Sequence, residues 1–316
     1  MAGALPETRG KRLNDITSKQ DSAQALNLLR ARRRTLDAVK RVQRVYFFIV
    51  MLLPIASVFA ASFWMEAKLW VSAVAVLVTI IDFYAIDRWQ KGNIKLSARL
   101  QEQFDCFVLS MAWNQFTAGK PVGAEEIFAL SKRKLSAPIE KTFPGWYPVA
   151  VEKLPLALAR LACQRTNLWY DARLRDHYAR WILGFELVVV VALLIAGFAL
   201  GASYSDFMLT KLVPFVPLVV WLERERRRHK DSEANLVRLL SEIDSSIDGF
   251  IPAPSDIAAE ARSRQLQDAI FAHRSASPLV SNIIYKMRRP DMEEQMDVGA
   301  KQFIARLAEL GQGDAA

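Results

Sequence analysis

Between Cys163 and Tyr178 the chain reads CQRTNLWYDARLRDHY, setting Gln, Asn, aromatic rings and several arginines at helical spacing. Two chemistries fit that pattern. Arg165, Asp171, Arg173 and Arg175 can be ion-paired residues of an ordinary helix. Alternatively, aromatic faces can stack a base while arginine forks clamp a phosphate. Trp113-Asn114 and Trp146-Tyr147-Pro148 lie in the same part of the chain and add rings and an amide. A second group of residues, Asp82, Glu186, Asp206 and Lys211, stands in or beside long apolar runs. Asp82 and Glu186 fall at similar depth from the same side. Either they face a bundle interior or cation pathway, or they snorkel to the interface and pair with Arg88 or Arg180.

Catalytic signatures are missing. The sequence has no phosphate loop, GxSxG, HExxH, paired CxxC or kinase pattern, so an enzyme is not expected. Cys106 and Cys163 are the only cysteines, and His177, His229 and His273 are far apart in sequence, so neither a metal nor a cofactor is expected. Both cysteines fall in the central segment, where a cytoplasmic location would keep them reduced.

The elements that must position these groups are dominated by four apolar runs, at 45–64, 69–86, 181–202 and 205–222. Each has the length an α-helix needs to cross the hydrocarbon core, and helices satisfy their own backbone there. The connectors within each pair are very short, which predicts two helical hairpins. All but one of the 42 Lys and Arg lie outside the runs, the exception being Lys211 in the fourth run, and Lys68 stands on the first turn. Arg30, Arg32, Arg33, Arg34, Lys40, Arg41 and Arg44 precede the first run, and Arg224, Arg226, Arg227, Arg228 and Lys230 follow the fourth. The positive-inside rule then sets both termini and the central segment in the cytoplasm, with the chain crossing its membrane several times. The formal net charge is +9, which suits anionic lipid or a phosphate-rich ligand. No cleaved signal is expected, because the first 44 residues lack an apolar core.

The expected class is an all-α membrane protein: four transmembrane helices as two hairpins, with a discontinuous helical cytoplasmic domain. Its parts are a basic amphipathic N-terminal segment (1–44), hairpin 1 (45–86), a central helical segment (87–180), hairpin 2 (181–222) and a stalk with C-terminal helices (223–316). Residues 1–14 are polar and expected to be disordered. Ala25, Leu28 or Leu29, Leu36, Val39 and Tyr46 recur at helical spacing, and no breaker separates them from the first run. The fourth run continues outward through a stripe of Leu236, Leu239, Leu240, Ile243, Ile247 and Phe250, ended by Pro252 and Pro254. Helices are expected at about 92–111 and from about 153 into the third run, with three more at the C-terminus punctuated by Pro278 and Pro290. Pro214 and Pro217 should kink the fourth run.

Four stretches together resemble one family. CQRTNLWYDARLR is similar to the CQR.N..WD..LR motif of the SMODS-associated four-transmembrane effector family. Gln20-Asp21-Ser22 with the Leu/Arg-rich helix after it, Phe104-Asp105 with Trp113-Asn114, and the stretch from Leu266-Gln267 through Arg274, Pro278, Tyr285, Arg288 and Glu294 to Met296 resemble its other elements, in order around four spans. Asp21 stands where the family more often has Asn, and Tyr170 separates Trp169 from Asp171.

The resemblance implies a membrane effector of cyclic-oligonucleotide-based antiphage signalling (CBASS), encoded beside a cyclic-oligonucleotide synthase. A cyclic di- or oligonucleotide would be the ligand, the lipid bilayer the target and a homo-oligomer the active form; no duplex nucleic acid is expected as partner. Pore formation or membrane disruption would cause growth arrest or cell death, an abortive infection. The residues expected to bind or couple the ligand are Trp113, Asn114, Arg165, Asn167, Trp169, Arg173, Arg274 and Tyr285, with Asp82 and Glu186 in a pore or bundle interior. The alternatives are a constitutive ion channel or transporter subunit, and a membrane-anchored scaffold.

Overall fold

A computed structural model describes residues 12–63, 65–133, 135–199, 203–248 and 256–312. Among them the regular structure is helical, in chain order α1 (Ile16–Gln20), α2 (Ala23–Phe63), α3 (Met65–Ile81), α4 (Asp87–Val108), α5 (Gln115–Ala118), α6 (Ala124–Ser131), α7 (Ala137–Glu140), α8 (Leu156–Ala199), α9 (Tyr204–Asp206), α10 (Val216–Asp248), α11 (Asp256–Ala276) and α12 (Asn282–Gln312).

Helix α2 has 41 residues and α8 has 44, so each is about 60 Å long, roughly twice the hydrocarbon thickness. Half of each helix serves the apolar run and half projects from it without a break. The same holds for α3 and α4, which are joined through a π-helical turn at Asp82–Ile86. Among the described residues three helices are long and apolar enough to cross a membrane, and their most apolar windows are only 0 to 11% buried. Such bare apolar surface is stable only against lipid or further apolar chains.

The fourth run is interrupted around Pro214 and Pro217, where a kink is expected. It is helical in pieces: α9, a π-helical turn at Phe207–Leu212, a 3-10 turn at Val213–Phe215, then α10. Pro214 and Pro217 explain this, because neither can donate to the carbonyl four residues back. Pro290, expected to end a helix, instead lies inside α12. At the N-terminus the expectation of disorder fails for the described residues. The Leu13 amide donates to the Glu152 carbonyl at 2.8 Å, and Asn14 Nδ2 donates to the carbonyls of Val151 and Leu154 at 2.8 and 2.9 Å. The side chains of Asp206, Lys211 and Ile247, and residues Phe250, Pro252 and Pro254, lie outside the described residues.

One hydrophobic core gathers three separate stretches: Ile16, Ala25, Leu28 and Ala31; Leu100 through Ala172; and Leu236 through Leu307. Because they share a core, both apolar pairs must leave and return on the same side of any membrane they cross. The N-terminal stretch is tied in by Gln20, whose side chain meets the Tyr147 backbone twice, at 2.9 and 3.2 Å. Asp21 Oδ1 also accepts from the Gly145 amide at 2.9 Å. Where the helices enter the apolar region, Phe47 of α2 packs on Trp221 of α10 and Phe185 of α8, with centroids 5.6 and 6.2 Å apart.

Beneath that neck lies a buried polar centre. Glu102 and Asp105 of α4 are 1% and 0% exposed. Asp105 accepts from Gln101 and Gln267, both at 2.9 Å, and from Arg274. Glu102 accepts from Arg264 at 2.6 Å and Gln267 at 2.8 Å. Gln164 of α8 closes the set through the Ser263 carbonyl at 2.8 Å and Gln267 at 3.1 Å. Burial, then Asp105, raises the Glu102 carboxyl above its ordinary value, while Arg264 and Gln267 oppose that. Removing one partner of a buried pair strands the other charge, which costs about 3–5 kcal/mol. Asp105→Ala is therefore expected to lower thermal stability by that amount in detergent-solubilised protein. The paired change Asp105→Leu with Arg274→Met should recover most of it; equal losses in both variants would contradict the pairing.

Candidate functional site

The residues that sequence reasoning singled out fall in several neighbourhoods. Arg165 donates Nε to Asp244 of α10 at 2.9 Å and lies 4.5 Å from the centroid of the Phe303 ring of α12. Asn167 accepts from Trp146 Nε1 at 2.9 Å and donates to the Tyr147 hydroxyl at 2.8 Å. Trp169 packs beside Tyr170, Leu174, Val280, Met292 and Met296, a cluster that Tyr285 also joins. Asn114 is the N-cap of α5, accepting from the Phe116 amide at 3.1 Å and donating to Asp268 at 2.8 Å. Arg173 is exposed on α8. Asp171, in the same motif, pairs with Arg175 at 3.1 Å and His273 at 3.3 Å. Burial alone would raise its carboxyl, but Arg175 and His273 hold it well below the usual carboxylate range.

Asp82 and Glu186 have different partners. Asp82 lies on the π-helical turn, hydrogen-bonded to Tyr46 of α2. Glu186 on α8 lies within electrostatic range of Glu223 and Arg226 of α10. The thiols have no reactive setting: both are buried, burial pushes Cys106 up to about 12, and Cys163 lies well above its ordinary value. Among the described residues no group of three or more His, Cys, Asp or Glu could hold a metal.

Arg274 and Tyr285 meet at a site whose other members come from α2. Arg32 is half-buried, within electrostatic range of Arg274, Tyr285, Asp105 and Arg33. It makes no hydrogen bond or ion pair among the described residues, whereas Arg274 is held by Asp105 and Arg33 by Asp37 at 3.1 Å. Burial, and then the neighbouring Arg274, lower the Arg32 guanidinium to about 10. Two turns further along, Lys40 donates to Asn282 Oδ1 at 2.8 Å. Burial, followed by Arg33 and Arg32, brings its ammonium down to about 7. Cations that depress one another in this way form a ready seat for an anion. In the sequence Arg32 and Lys40 stand out only as charges that fix topology. Nothing in spacing alone distinguishes them from Arg30 or Arg34, which are engaged by Glu140 and the Arg133 carbonyl.

Beside this cluster runs a groove of about 530 Å³ between α2, α4 and α6, lined by Gln24, Asn27, Leu28, Gln103, Trp113 and Phe128 among others. Gln24, Leu28 and Arg32 follow at i, i+4 spacing, so groove and cluster occupy successive turns of one helix. Rings and amides thus adjoin a cationic seat, a combination suited to a base linked to phosphate.

Lys40 offers a pH signature. Its folded value lies below that of a free lysine, so between about 7 and the ordinary lysine value the unfolded chain binds more protons. The cost is complete below about pH 7 and is relieved as pH rises above it. Lys40→Met is therefore expected to raise the thermal midpoint of ligand-free protein more at pH 6 than at pH 9. A gain independent of pH, or a loss at pH 6, would contradict the buried charge.

Comparison with known proteins accords with this architecture. The SMODS-associating 4TM effector domain matches residues 14–303. A curated protein from Bacillus cereus (strain VD146), "Probable CBASS effector molecule IK1_05631", is 27% identical over 289 residues, covering 89% of this chain and 95% of that protein. No solved structure gives a significant match. The chain is an all-α membrane protein that belongs to the SMODS-associating 4TM effector family.

Proposed function

We propose that this chain is an inner-membrane effector of CBASS antiphage defence, with both termini in the cytoplasm, that binds a cyclic oligonucleotide on its cytoplasmic face and assembles in the bilayer into a pore or lesion. The family match and the name given to the Bacillus cereus relative support the defence role. The observation that carries the ligand reading is Arg32, a half-buried guanidinium facing Arg274 with no bonded carboxylate of its own. A phosphodiester between Arg32, Arg274 and Lys40 relieves their repulsion, and the groove at Trp113 takes an attached base. The synthase expected nearby supplies the nucleotide, which is a ligand and not a substrate.

The transmission step follows from helix continuity. Arg32 and Lys40 ride on α2, which runs unbroken into the first apolar run. Arg274 rides on α11, anchored to α4 through Asp105. Anion binding draws α2 toward α11, and a rigid helix carries that change to the bilayer. Ligand shifts the population only insofar as it binds the closed arrangement more tightly. The nearly bare apolar windows then re-pair between copies.

The test is direct binding of cyclic di- and trinucleotides to the full chain in detergent. Losing a charge-assisted phosphate contact costs about 1.5–3 kcal/mol, so Arg32→Gln should weaken binding about tenfold to hundredfold. Arg165→Ala should leave affinity nearly unchanged, because Arg165 is already engaged by Asp244 and Phe303. Unchanged affinity in Arg32→Gln would remove the cluster from the ligand site, and loss in Arg165→Ala alone would move the site to α8.

A further inference from the structure

A second basic cavity lies at the foot of the third apolar run, apart from the α2 cluster. It has a volume of about 340 Å³ and is lined by His177, Arg180 and Trp181 of α8 and by Ile284, Met287 and Arg288 of α12. We propose that it is a discrete binding site for the phosphodiester headgroup of an anionic glycerophospholipid, with Arg180 and Arg288 as the phosphate ligands and Trp181 as the interfacial anchor.

The cavity lies at headgroup depth. Trp181 opens the apolar run and remains 47% exposed, stacked on Phe185 with centroids 5.8 Å apart and planes within 1° of parallel. A tryptophan in that position belongs to the headgroup level. Arg180 stands immediately below it on the chain, so the cavity opens where lipid phosphates lie.

Charge favours the same occupant. Arg288 is exposed, and among the described residues it makes no hydrogen bond or ion pair. Arg180 contacts His177 Nδ1 at 3.1 Å and Asp176 at 2.6 Å. Asp176 is in turn shared with Lys230 at 3.2 Å. His177 feels Arg180, Arg288 and Arg173 against a single carboxylate, Asp176. Positive charge therefore exceeds negative charge at this spot, as in basic pockets that take lipid headgroups on the cytoplasmic side.

Helix α12 adds apolar surface. Ile283 and Met287, one turn apart, are 64% and 63% exposed beside Arg288. On a soluble face two such neighbours are costly, whereas at a membrane surface they lie against the glycerol and upper acyl region while Arg288 reaches the phosphate. A soluble anion uses the arginines and leaves Ile283 and Met287 wet, which favours lipid over free phosphate.

The experiment uses the full chain in nanodiscs of mixed phosphatidylcholine and phosphatidylglycerol, released and weighed by native mass spectrometry. Wild type should retain phosphatidylglycerol in preference to phosphatidylcholine. Arg180→Gln with Arg288→Gln should reduce that retention about fivefold for each guanidinium lost. Arg227→Gln with Arg238→Gln, an equal charge loss elsewhere on exposed surface, should retain it as wild type does. Thermal unfolding of each variant checks that the fold persists, and Arg180→Lys with Arg288→Lys should retain most of the wild-type preference. Equal loss in both glutamine pairs would overturn the site in favour of diffuse attraction. Displacement of the lipid from wild type by inorganic phosphate or a soluble cyclic dinucleotide would assign the cavity to a free phosphate instead.

Discussion

Asp105 is fully buried with three donors aimed at its two oxygens, and one of them is the guanidinium of Arg274. A carboxylate so placed is tolerable only while those donors stay, and Arg274 is tolerable only while the carboxylate stays. Burial alone would lower the Arg274 guanidinium, yet Asp105 and Glu102 raise it above its ordinary value, so it stays charged at any accessible pH. That mutual dependence locks α11 onto α4, with α8 joined through Gln164 and Gln267. It also holds a permanent positive charge facing α2. Arg32 feels it as repulsion, and the basic cluster exists because Arg274 cannot leave.

Helix continuity gives this local electrostatic arrangement its reach. The helices that frame the cluster and the groove, α2 and α4, are the same helices that carry apolar runs, α4 through the π-helical turn at Asp82–Ile86. Such a turn, like the 3-10 turn at Val213–Phe215, is a place where a helix changes phase without breaking. In the proposed mechanism these are where rotation of the projecting halves is absorbed or passed on. Helix α10, packed along α8 and bearing the buried stripe Leu236, Leu239 and Ile243, keeps the second hairpin attached to the same core.

Much of the architecture was legible because long apolar runs and helical stripes are strong, local signals. Ala25, Leu28 and Val39 lie buried on one face of α2, as their spacing predicts. Punctuation was less legible: Pro290 has the fixed φ of a helix, and whether it ends one depends on packing that single-residue preference does not contain. The anion site was least legible. Arg32 and Arg34 are two residues apart and chemically identical, and only tertiary contacts decide which one is left facing another arginine. The motif around Cys163 combined two kinds of residue, with Gln164 fully buried in the polar centre while Arg173 stays on the surface. Four stretches distant in sequence, at Gln20, Asp105, Gln164 and Gln267, prove to be fastenings of one domain.

The central claim is that anion capture at Arg32 and Arg274 is read out by the bilayer. Conductance across a planar bilayer containing the purified full chain tests it most directly, with cyclic oligonucleotide added to the face bearing the helical domain. The account predicts a silent membrane before addition, current after it, and silence in Arg32→Gln at the same nucleotide concentration. Current without nucleotide, or equal current from Arg32→Gln, would contradict it.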